Sequence, residues 1–394
     1  MVLSLFPTGL GAVRSLGRAG VRVDGYDSDP KMPGFFSRYC EAAVCPDPVA
    51  DPEGLVEFLL GQAPAGDRPP VLFPASDAFV LFVSRHRDRL AEAYAFALPE
   101  EDVVEAIVNK RLQYDLAERA GVPYPTTAYP ETDEDVARLA GDIEYPVIVK
   151  PYYGHLWRQT FGGDHKGFKV ETPRALVETF ELVLPAGIPA MVQSIVPGPN
   201  TNHYKLCAYV RADGTPLVPL ALRKVRQYPP EFGVGTFVET VHDPEVTDLG
   251  LRFLKGIGYR GIGSIELKRD ARDGGLKLIE LNPRLWQQNS LATAVGLNYP
   301  LVQVLDLQGE ILPEAPSYRA GVAWLDAVAD FQSFWAQRKK TGTSVASWLA
   351  SWRRARAFST FAWDDPRPYL HENAYGLRYM RFPLYLYRQR RRRG

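Results

Sequence analysis

The amino-acid sequence predicts a mixed α/β and α+β protein that opens with a parallel-sheet unit and ends in a helical segment. Two observations support this fold class. The chain opens with an apolar strand at 2–6, a glycine-containing turn that leads into a helix, and a second strand at 21–29, which together form a β-α-β unit. Residues 261–284 instead form two strands joined by a charged, glycine-containing turn, as in an antiparallel hairpin.

Length and composition bound the remaining possibilities. The 394 residues allow two to four domains or subdomains, and an apolar fraction of 46% is enough for buried cores. Acidic and basic residues balance, so net charge gives no indication of a polyanionic partner, and we expect no nucleic acid. Three cysteines without paired C-x-x-C spacing argue against a disulfide framework or a zinc site. With no recognisable signal peptide and no apolar run of ~18 residues, we expect a cytoplasmic protein.

The N-terminal unit carries two features of interest. Gly9-x-Gly11-x-x-Arg14 partly matches the dinucleotide fingerprint, but an arginine replaces the third glycine, so the motif fits either a nicotinamide site or a Rossmann-like structural domain. Ser76 and Asp77 follow a predicted strand, where a βα loop points into a cleft. These two residues either cap the next helix or contact substrate, and the sequence leaves both roles open.

The hairpin at 261–284 predicts a metal site. Strict alternation places Leu276, Leu278, Glu280 and Asn282 on one face, and a turn centred on residue 273 places Glu266 opposite Glu280. Facing carboxylates destabilise a sheet unless a cation lies between them. The donors are all hard oxygens, which favours Mg²⁺ or Mn²⁺. A solvated surface hairpin is the alternative, but it would leave the two leucines facing water.

These residues also carry a family resemblance. Glu266, with Glu280-Leu-Asn282-Pro-Arg284, resembles the metal and phosphate signature of the ATP-grasp superfamily, in the branch of predicted ATP-dependent carboligases that includes D-aspartate ligase. The resemblance implies a Rossmann-like domain at 1–105 and a small subdomain at 106–192. It further implies a large subdomain with the metal site at 193–311, followed by a C-terminal appendix at 312–394. It also favours the structural role for the N-terminal domain.

The resemblance assigns roles to further residues. Lys110, beside a helix that ends before VPYP, approaches the nucleotide phosphates, while Gln193 and the backbone at Ile195 and Val196 hold the adenine. Lys150 ends a buried apolar strand, where a phosphate is a natural partner for its charge. Lys166 lies in a glycine-rich stretch at 154–167 that we expect to close over phosphates.

Cationic and polar residues elsewhere complete the expected site. Arg223, Lys224 and Arg226 follow the second strand of a hairpin at 203–230. They form either a solvated edge or, opposite two acids and a metal, clamps on a triphosphate, with Arg226 also a candidate for substrate contact. Gln288 and Asn289 are candidates for the acceptor pocket.

The resemblance implies an ATP-dependent ligase that activates a carboxylate as an acyl phosphate and condenses it with an amine, releasing ADP and phosphate. Arg284 would stabilise the oxyanion on the acyl carbon, with Arg223 and Lys224 balancing phosphate charge. ATP and Mg²⁺ (or Mn²⁺) would be required, and the substrates would be a small carboxylate and an amine. A non-catalytic ATP-binding scaffold and a nicotinamide-dependent oxidoreductase are the alternatives.

The C-terminal tail allows two interpretations. Apolar residues at 380–387 precede arginines at 388 and 390–393, a pattern that fits weak contact with an anionic membrane. It equally fits a packed strand followed by a solvated end, which we favour. Whether the protein is a monomer or a homo-oligomer is left open by the sequence.

Overall fold

The computed structural model describes residues 1–64, 66, 68–153, 157, 160–161, 167–312 and 316–379 of the chain. This part contains three β-sheets. The predicted α/β and α+β fold class is confirmed.

The first sheet is parallel, with strand order β3-β2-β1-β4. The predicted β-α-β opening is present, because α1 connects the adjacent parallel strands β1 and β2. The elements are β1 Val2–Leu3, α1 Pro7–Arg18, β2 Asp24–Asp27, β3 Glu41–Val44, α2 Pro52–Gln62, β4 Phe73–Pro74, α3 Asp77–Arg85 and α4 Arg87–Ala91, with a short 3₁₀ helix at Pro33–Phe36.

The second sheet is antiparallel, with order β5-β8-β6-β7. Helices α7 and α8 bury their apolar stripes against it, in a core that includes Val136, Leu176 and Phe180. The elements from 101 to 194 are α5 Glu101–Val108, α6 Lys110–Arg119, β5 Thr127–Ala128, α7 Asp133–Asp142, β6 Val147–Pro151, β7 Phe168–Val170, α8 Pro173–Val183 and β8 Ala190–Ser194.

The third sheet has seven strands in the order β13-β12-β9-β10-β11-β14-β15. Its elements up to residue 307 are β9 His203–Val210, β10 Pro216–Tyr228, β11 Val234–Val241, α9 Pro244–Gly256, β12 Gly261–Arg269, β13 Leu276–Asn282, α10 Asn289–Ala294 and α11 Tyr299–Leu307, with a 3₁₀ helix at Asn200–Asn202. One face packs against α9, through residues such as Leu206 and Phe253. The other face shares a core with the N-terminal domain, where Cys207 and Leu222 join Val2 and Leu5.

The C-terminal segment differs from the predicted helical appendix. It holds the helices α12 Ala327–Thr341, α13 Val345–Trp352 and α14 Arg367–Tyr379, but also the strands β14 Ala323–Leu325 and β15 Ala355–Phe358. Strand β14 pairs with β11, and β15 pairs with β14, so the segment extends the large sheet. The short apolar runs in this segment are strands because the free edge of β11 supplies backbone partners, which periodicity cannot reveal.

The partial dinucleotide motif lies inside α1 and serves packing. A Cβ on Gly9 would come within 1.9 Å of the Ser4 carbonyl oxygen, and one on Gly11 within 2.0 Å of Asn289 Oδ1. Arg14, which replaces the third glycine, is buried and pairs with Asp365 at 2.9 Å. These contacts agree with a structural role for the domain and give no support to a nicotinamide site. In the part of the chain that the structure describes, no helix is long and apolar enough to cross a bilayer.

Candidate functional site

Two facing carboxylates form the centre of the site. Glu266 in β12 lies directly opposite Glu280 in β13, as predicted, although the turn at 270–275 alone would place Glu266 opposite Ile279. Each carboxylate has a lysine partner: Lys205 Nζ lies 3.2 Å from Glu266 Oε1, and Lys110 Nζ donates to Glu280 Oε1. The lysines offset the repulsion that two acids paired across a ladder would otherwise cause.

A β-bulge decides which way the acids face. The ladder runs from Glu266 opposite Glu280 to Leu267 opposite Leu278, so Ile279 is the extra residue. Leu276 and Leu278 therefore lie in the core beneath α9 together with Leu281, whereas Glu280 and Asn282 point to the opposite face. The prediction that these four alternate residues share one face is wrong, because the inserted residue shifts the alternation by one position.

Helix α6 fits its side chains to this irregular strand. Asn109 caps the helix through its side chain, and Lys110 is its first residue. Gln113, which is buried, donates to the Leu281 carbonyl at 3.1 Å and accepts from the Leu281 N–H at 3.0 Å. Tyr114 donates to the carbonyl of the bulge residue Ile279 at 2.9 Å. The helix thus forms hydrogen bonds with backbone groups at the unpaired edge of β13, and it places Lys110 beside Glu280.

The Lys110–Glu280 pair is partly shielded from water. Burial lowers the pKa of Lys110, but the charge of Glu280 and its hydrogen bond outweigh burial, so the pKa lies above its ordinary value. The ammonium therefore stays protonated over the physiological range and remains available as a counter-charge.

The small sheet brings two further predicted residues to the same region. Lys150, in β6, is only 9% exposed and donates to the Tyr114 hydroxyl at 3.1 Å. That hydroxyl also lies 3.4 Å from Gln193 Oε1, while Gln193 Nε2 donates to Thr127 Oγ1 at 2.8 Å. Lys150 and Gln193 are therefore linked through Tyr114 to the strand of Glu280. Ile195 and Val196 follow directly after β8, next to Gln193.

The N-terminal domain closes the site from another side. Arg284, two residues past Asn282, donates from Nε to Asp77 Oδ1 at 2.6 Å and lies 3.5 Å from Asn282 Oδ1. The preceding residue, Ser76, accepts from the Phe79 N–H at 3.4 Å and caps α3. Of the two residues whose roles the sequence leaves open, Ser76 caps the helix, and Asp77 contacts Arg284.

The adjacent residues Arg223 and Lys224 lie on different faces of the large sheet. Direct cross-strand pairing links Leu222 to Lys205 and Lys205 to Glu266, so Lys224, two residues along β10 from Leu222, shares the face of the acids. Arg223 pairs with Tyr204 and Glu239 on the opposite face, where its Nε donates to Glu239 at 3.0 Å. The prediction that both clamp phosphates is therefore wrong for Arg223, because neighbouring residues of a strand point to opposite faces.

Two other candidates have structural partners. Arg226 donates to both carboxylate oxygens of the buried Asp330 in α12, at 2.7 and 2.9 Å. Asn289 donates to the Thr8 carbonyl of α1 at 2.9 Å, and so joins two domains. Neither is brought to the acid pair, so the expectation that they contact substrate is not supported. Gln288 does lie there, because it accepts from Lys205 at 3.4 Å.

Sequence reasoning missed Lys205 and Tyr114. Lys205 is the one basic residue in the strand sequence HYKLCAYV, an available signal, but only the pairing of β9 with β12 places it beside Glu266. Tyr114 carried no signal, because a tyrosine on an amphipathic helix is most often a core residue. The predicted Lys166 and the rest of the glycine-rich loop, apart from 157, 160–161 and 167, lie outside the described residues.

Comparisons with known proteins agree with this geometry. No protein-family model matches the chain. The chain is 28% identical over 304 residues to D-aspartate ligase from Enterococcus faecium, covering 73% of this chain and 71% of that one. It is 23% identical over 319 residues to the carbamoyl phosphate synthase large chain of Myxococcus xanthus, covering 75% of this chain but only 27% of that protein.

Solved structures show the same fold at low sequence identity. Biotin carboxylase from Campylobacter jejuni superposes with a TM-score of 0.62 at 18% identity, covering 82% of this chain and 74% of that one. N5-carboxyaminoimidazole ribonucleotide synthetase from Thermus thermophilus gives a TM-score of 0.61 at 14% identity, covering 81% and 80%. The chain thus resembles D-aspartate ligase in sequence and shares the fold of these ATP-grasp enzymes.

Proposed function

We propose that this protein uses ATP to convert a carboxylate into an acyl phosphate and then joins the acyl group to an amine. The observation that carries this proposal is the pair Glu266 and Glu280, which faces lysines from separate elements and lies beside Arg284. Such a concentration of charge is costly to desolvate unless a highly charged ligand and its counter-ion use it.

The nucleotide would lie between the small and large sheets. Lys110 and Lys150 would contact its phosphates, and Gln193 with the backbone at Ile195 and Val196 would contact its base. Solved relatives of the fold include a biotin carboxylase in complex with β,γ-ATP and an N5-carboxyaminoimidazole ribonucleotide synthetase in complex with ADP. These nucleotide complexes support ATP as the co-substrate here.

The acid pair fits a divalent cation. Glu266, Glu280 and Asn282 supply only hard oxygen donors on one face, which suits Mg²⁺ or Mn²⁺. Among the described residues no group of three or more His, Cys, Asp and Glu side chains could hold a metal, as expected where phosphate oxygens complete the coordination. Once bound, the ion would neutralise charge on the phosphates during transfer.

The residues of the chain would direct two successive steps. In the first, a carboxylate oxygen attacks the γ-phosphorus, the bond to the bridging oxygen breaks and ADP leaves, while Lys110, Lys150 and Lys224 balance the phosphate charge. In the second, the amine attacks the acyl carbon, phosphate leaves, and the nitrogen loses its surplus proton. Arg284, oriented by Asp77, would stabilise the oxyanion that forms on that carbon.

The likeness to D-aspartate ligase suggests which substrates to try. A dicarboxylic amino acid is the first candidate, with D-aspartate before others, because it is the substrate named for that relative. All three cysteines are unpaired thiols, which supports the expectation of a reducing, cytoplasmic location.

The test measures ADP and phosphate release from Mg-ATP with pairs of amino acids and small acids, and identifies the product by mass. We expect release to require two substrates together and to yield a condensed mass. Glu280→Gln should lower this release about 100-fold or more, the scale typical of losing one group that stabilises transition-state charge. The matched control is Glu245→Gln, which removes a carboxylate from the exposed pair with Arg269. Full turnover by Glu280→Gln would refute the metal assignment.

A further inference from the structure

The helices α12 and α13 present an apolar outer surface, here called the α12–α13 surface. It consists of exposed side chains spaced along the two helices, namely Val328, Phe331, Trp335, Val345 and Leu349. Positions 328, 331 and 335 lie on one face of α12, and 345 and 349 on one face of α13. The inner face of α12 is already packed, since Asp330, Ser333 and Phe334 are buried. The outer apolar residues are therefore not needed for the core.

The aromatic part of this surface is held in place. The Phe331 ring centroid lies 6.0 Å from that of Trp335 and 6.1 Å from that of Trp348 in α13. Trp348 in turn stacks on Phe334 at 4.5 Å and donates from Nε1 to Asp330. Phe331 and Trp335 are nevertheless 51% and 56% exposed. Large apolar side chains kept in water by a rigid support mark an interaction surface.

The charge around this surface has one sign. Residues 327–356 contain six basic residues and a single acid, Asp330. Asp330 is fully buried and paired with Arg226, so it contributes no exposed negative charge. Arg338 lies over the Trp335 ring, with its Cζ 3.9 Å from the centroid, and Lys339 and Lys340 follow it as exposed residues. Cations thus border the exposed aromatics directly.

We propose that the α12–α13 surface binds an anionic phospholipid membrane. Its aromatic and aliphatic side chains would enter the boundary between headgroups and acyl chains, and Arg338, Lys339 and Lys340 would contact lipid phosphates. A second copy of this chain fits less well, because a two-fold contact would bring the same basic residues together. The aliphatic side chains Val328, Val345 and Leu349 have no counterpart on a nucleic-acid backbone.

The test is co-sedimentation of the full chain with phosphatidylcholine vesicles, with and without 30% phosphatidylserine (roughly the anionic fraction at which basic segments bind). We expect the parent to bind only the anionic vesicles. The partition coefficient should fall about tenfold or more in two variants: the double variant Phe331→Ser with Trp335→Ser, and the triple variant Arg338→Gln with Lys339→Gln and Lys340→Gln. Leu182→Ser, which alters an exposed leucine of α8 far along the chain, is the matched control and should bind like the parent. ATP-dependent turnover confirms that each variant is folded.

Three outcomes would overturn the proposal. Equal binding by the parent and both α12–α13 variants would exclude this surface, and a loss of binding only when residues 388–394 are deleted would assign the membrane contact to the tail instead. Dimerisation that the same variants abolish, without vesicle binding, would assign the surface to a second copy. If brominated lipids quench the tryptophan fluorescence of the parent and the Trp335→Phe change removes this quenching, Trp335 lies at the boundary between headgroups and acyl chains, as proposed.

Discussion

Asp77 of the N-terminal domain forms an ion pair with Arg284 of the ELNPR segment. The short distance from Arg284 Nε to Asp77 Oδ1 holds the guanidinium in one orientation, beside Asn282. A planar guanidinium contributes to catalysis only when its donors point at the atom that gains charge. The N-terminal domain therefore reaches the site through the Asp77 carboxylate.

Changing Asp77 to Asn should impair turnover without impairing nucleotide binding. Arg284 would lose its orienting charge, so we expect kcat to fall roughly 10- to 100-fold while the KM for ATP changes little. The neighbouring change Ser76→Ala is the control: it removes the α3 cap and should lower the free energy of unfolding by about 1 kcal/mol with kcat preserved. An equal loss of kcat in both variants would contradict the role given to Asp77.

At the scale of elements, alternation along each strand and its interruption by the bulge at Ile279 decide which side chains meet. The bulge turns Glu280 and Asn282 away from the leucines that precede them, and α6 stabilises this irregularity by bonding to the Ile279 and Leu281 backbone. Without the bulge, Glu280 would face the core beneath α9. The site thus depends on a local distortion that a neighbouring helix maintains.

The same alternation separates Arg223 from Lys224 and can be tested directly. Lys224→Met should lower kcat/KM for Mg-ATP roughly 10-fold, because Lys224 shares the face of the acids. Arg223→Met should instead reduce stability, since it removes one partner of the buried Glu239. Steady-state kinetics and urea unfolding of both variants distinguish the two effects. A larger catalytic loss in the folded Arg223 variant than in the Lys224 variant would contradict the assignment of faces.

At the scale of the whole molecule, α1 is the element on which the other parts converge. Gly11 leaves room for the Asn289 side chain of the large subdomain. Arg14 donates hydrogen bonds to Asp365 and to the Thr360 carbonyl of the C-terminal segment. Arg18, in its last turn, pairs with Asp364 at 2.7 Å. Charged contacts thus join α1 to the segment at 360–365.

Gly11→Ala should destabilise the protein, because the new Cβ would come within 2.0 Å of Asn289 Oδ1. Overpacking of this kind costs about 1–3 kcal/mol. Gly61→Ala, in α2 with nothing within 4 Å of the added Cβ, is the matched control and should be neutral or slightly stabilising. In a double-mutant cycle, Asn289→Ala should relieve part of the cost of Gly11→Ala. Strict additivity of the two changes would mean that they do not share this contact.

The Arg18–Asp364 contact predicts a pH dependence of stability. The hydrogen bond from Arg18 holds the pKa of Asp364 well below its ordinary value in the folded protein. Because the folded pKa is below the unfolded one, the stabilisation is complete above about pH 4 and is lost as pH falls through the folded pKa. Asp364→Asn should therefore unfold at lower urea concentration than the parent at pH 7, and the difference should shrink below about pH 4.

The control for this pH dependence is Arg18→Gln, which removes the cause of the shift. In that background, Asp364→Asn should have a much smaller effect at every pH. A gap between parent and Asp364→Asn that grows as the pH is lowered would have the wrong sign and would contradict the assignment.

The chemistry of the site was readable from local sequence. Glu266, Glu280, Asn282 and Arg284 are held by one hairpin of about twenty consecutive residues, although the bulge at Ile279 sets the register that brings Glu266 opposite Glu280. Lys110 and Lys150 were identified with help from family resemblance, and the structure links both to the strand of Glu280. The prediction of a shared hairpin face failed because of that bulge, and the grouping of Arg223 with Lys224 failed because neighbouring residues of a strand point to opposite faces. Lys205 and Tyr114 were missed because their contacts join residues far apart in the chain.

The sequence by itself determined the β-α-β opening and the hairpin that holds Glu266 and Glu280, because each rests on periodicity or turn chemistry within a short segment. Only the tertiary structure decided the face that Glu280 presents, the pairing of Lys205 with Glu266, and the addition of β14 and β15 to the large sheet. The physical reason is that a bulge, a cross-strand neighbour and a free sheet edge are properties of paired backbones. A pattern along one strand does not specify its partner.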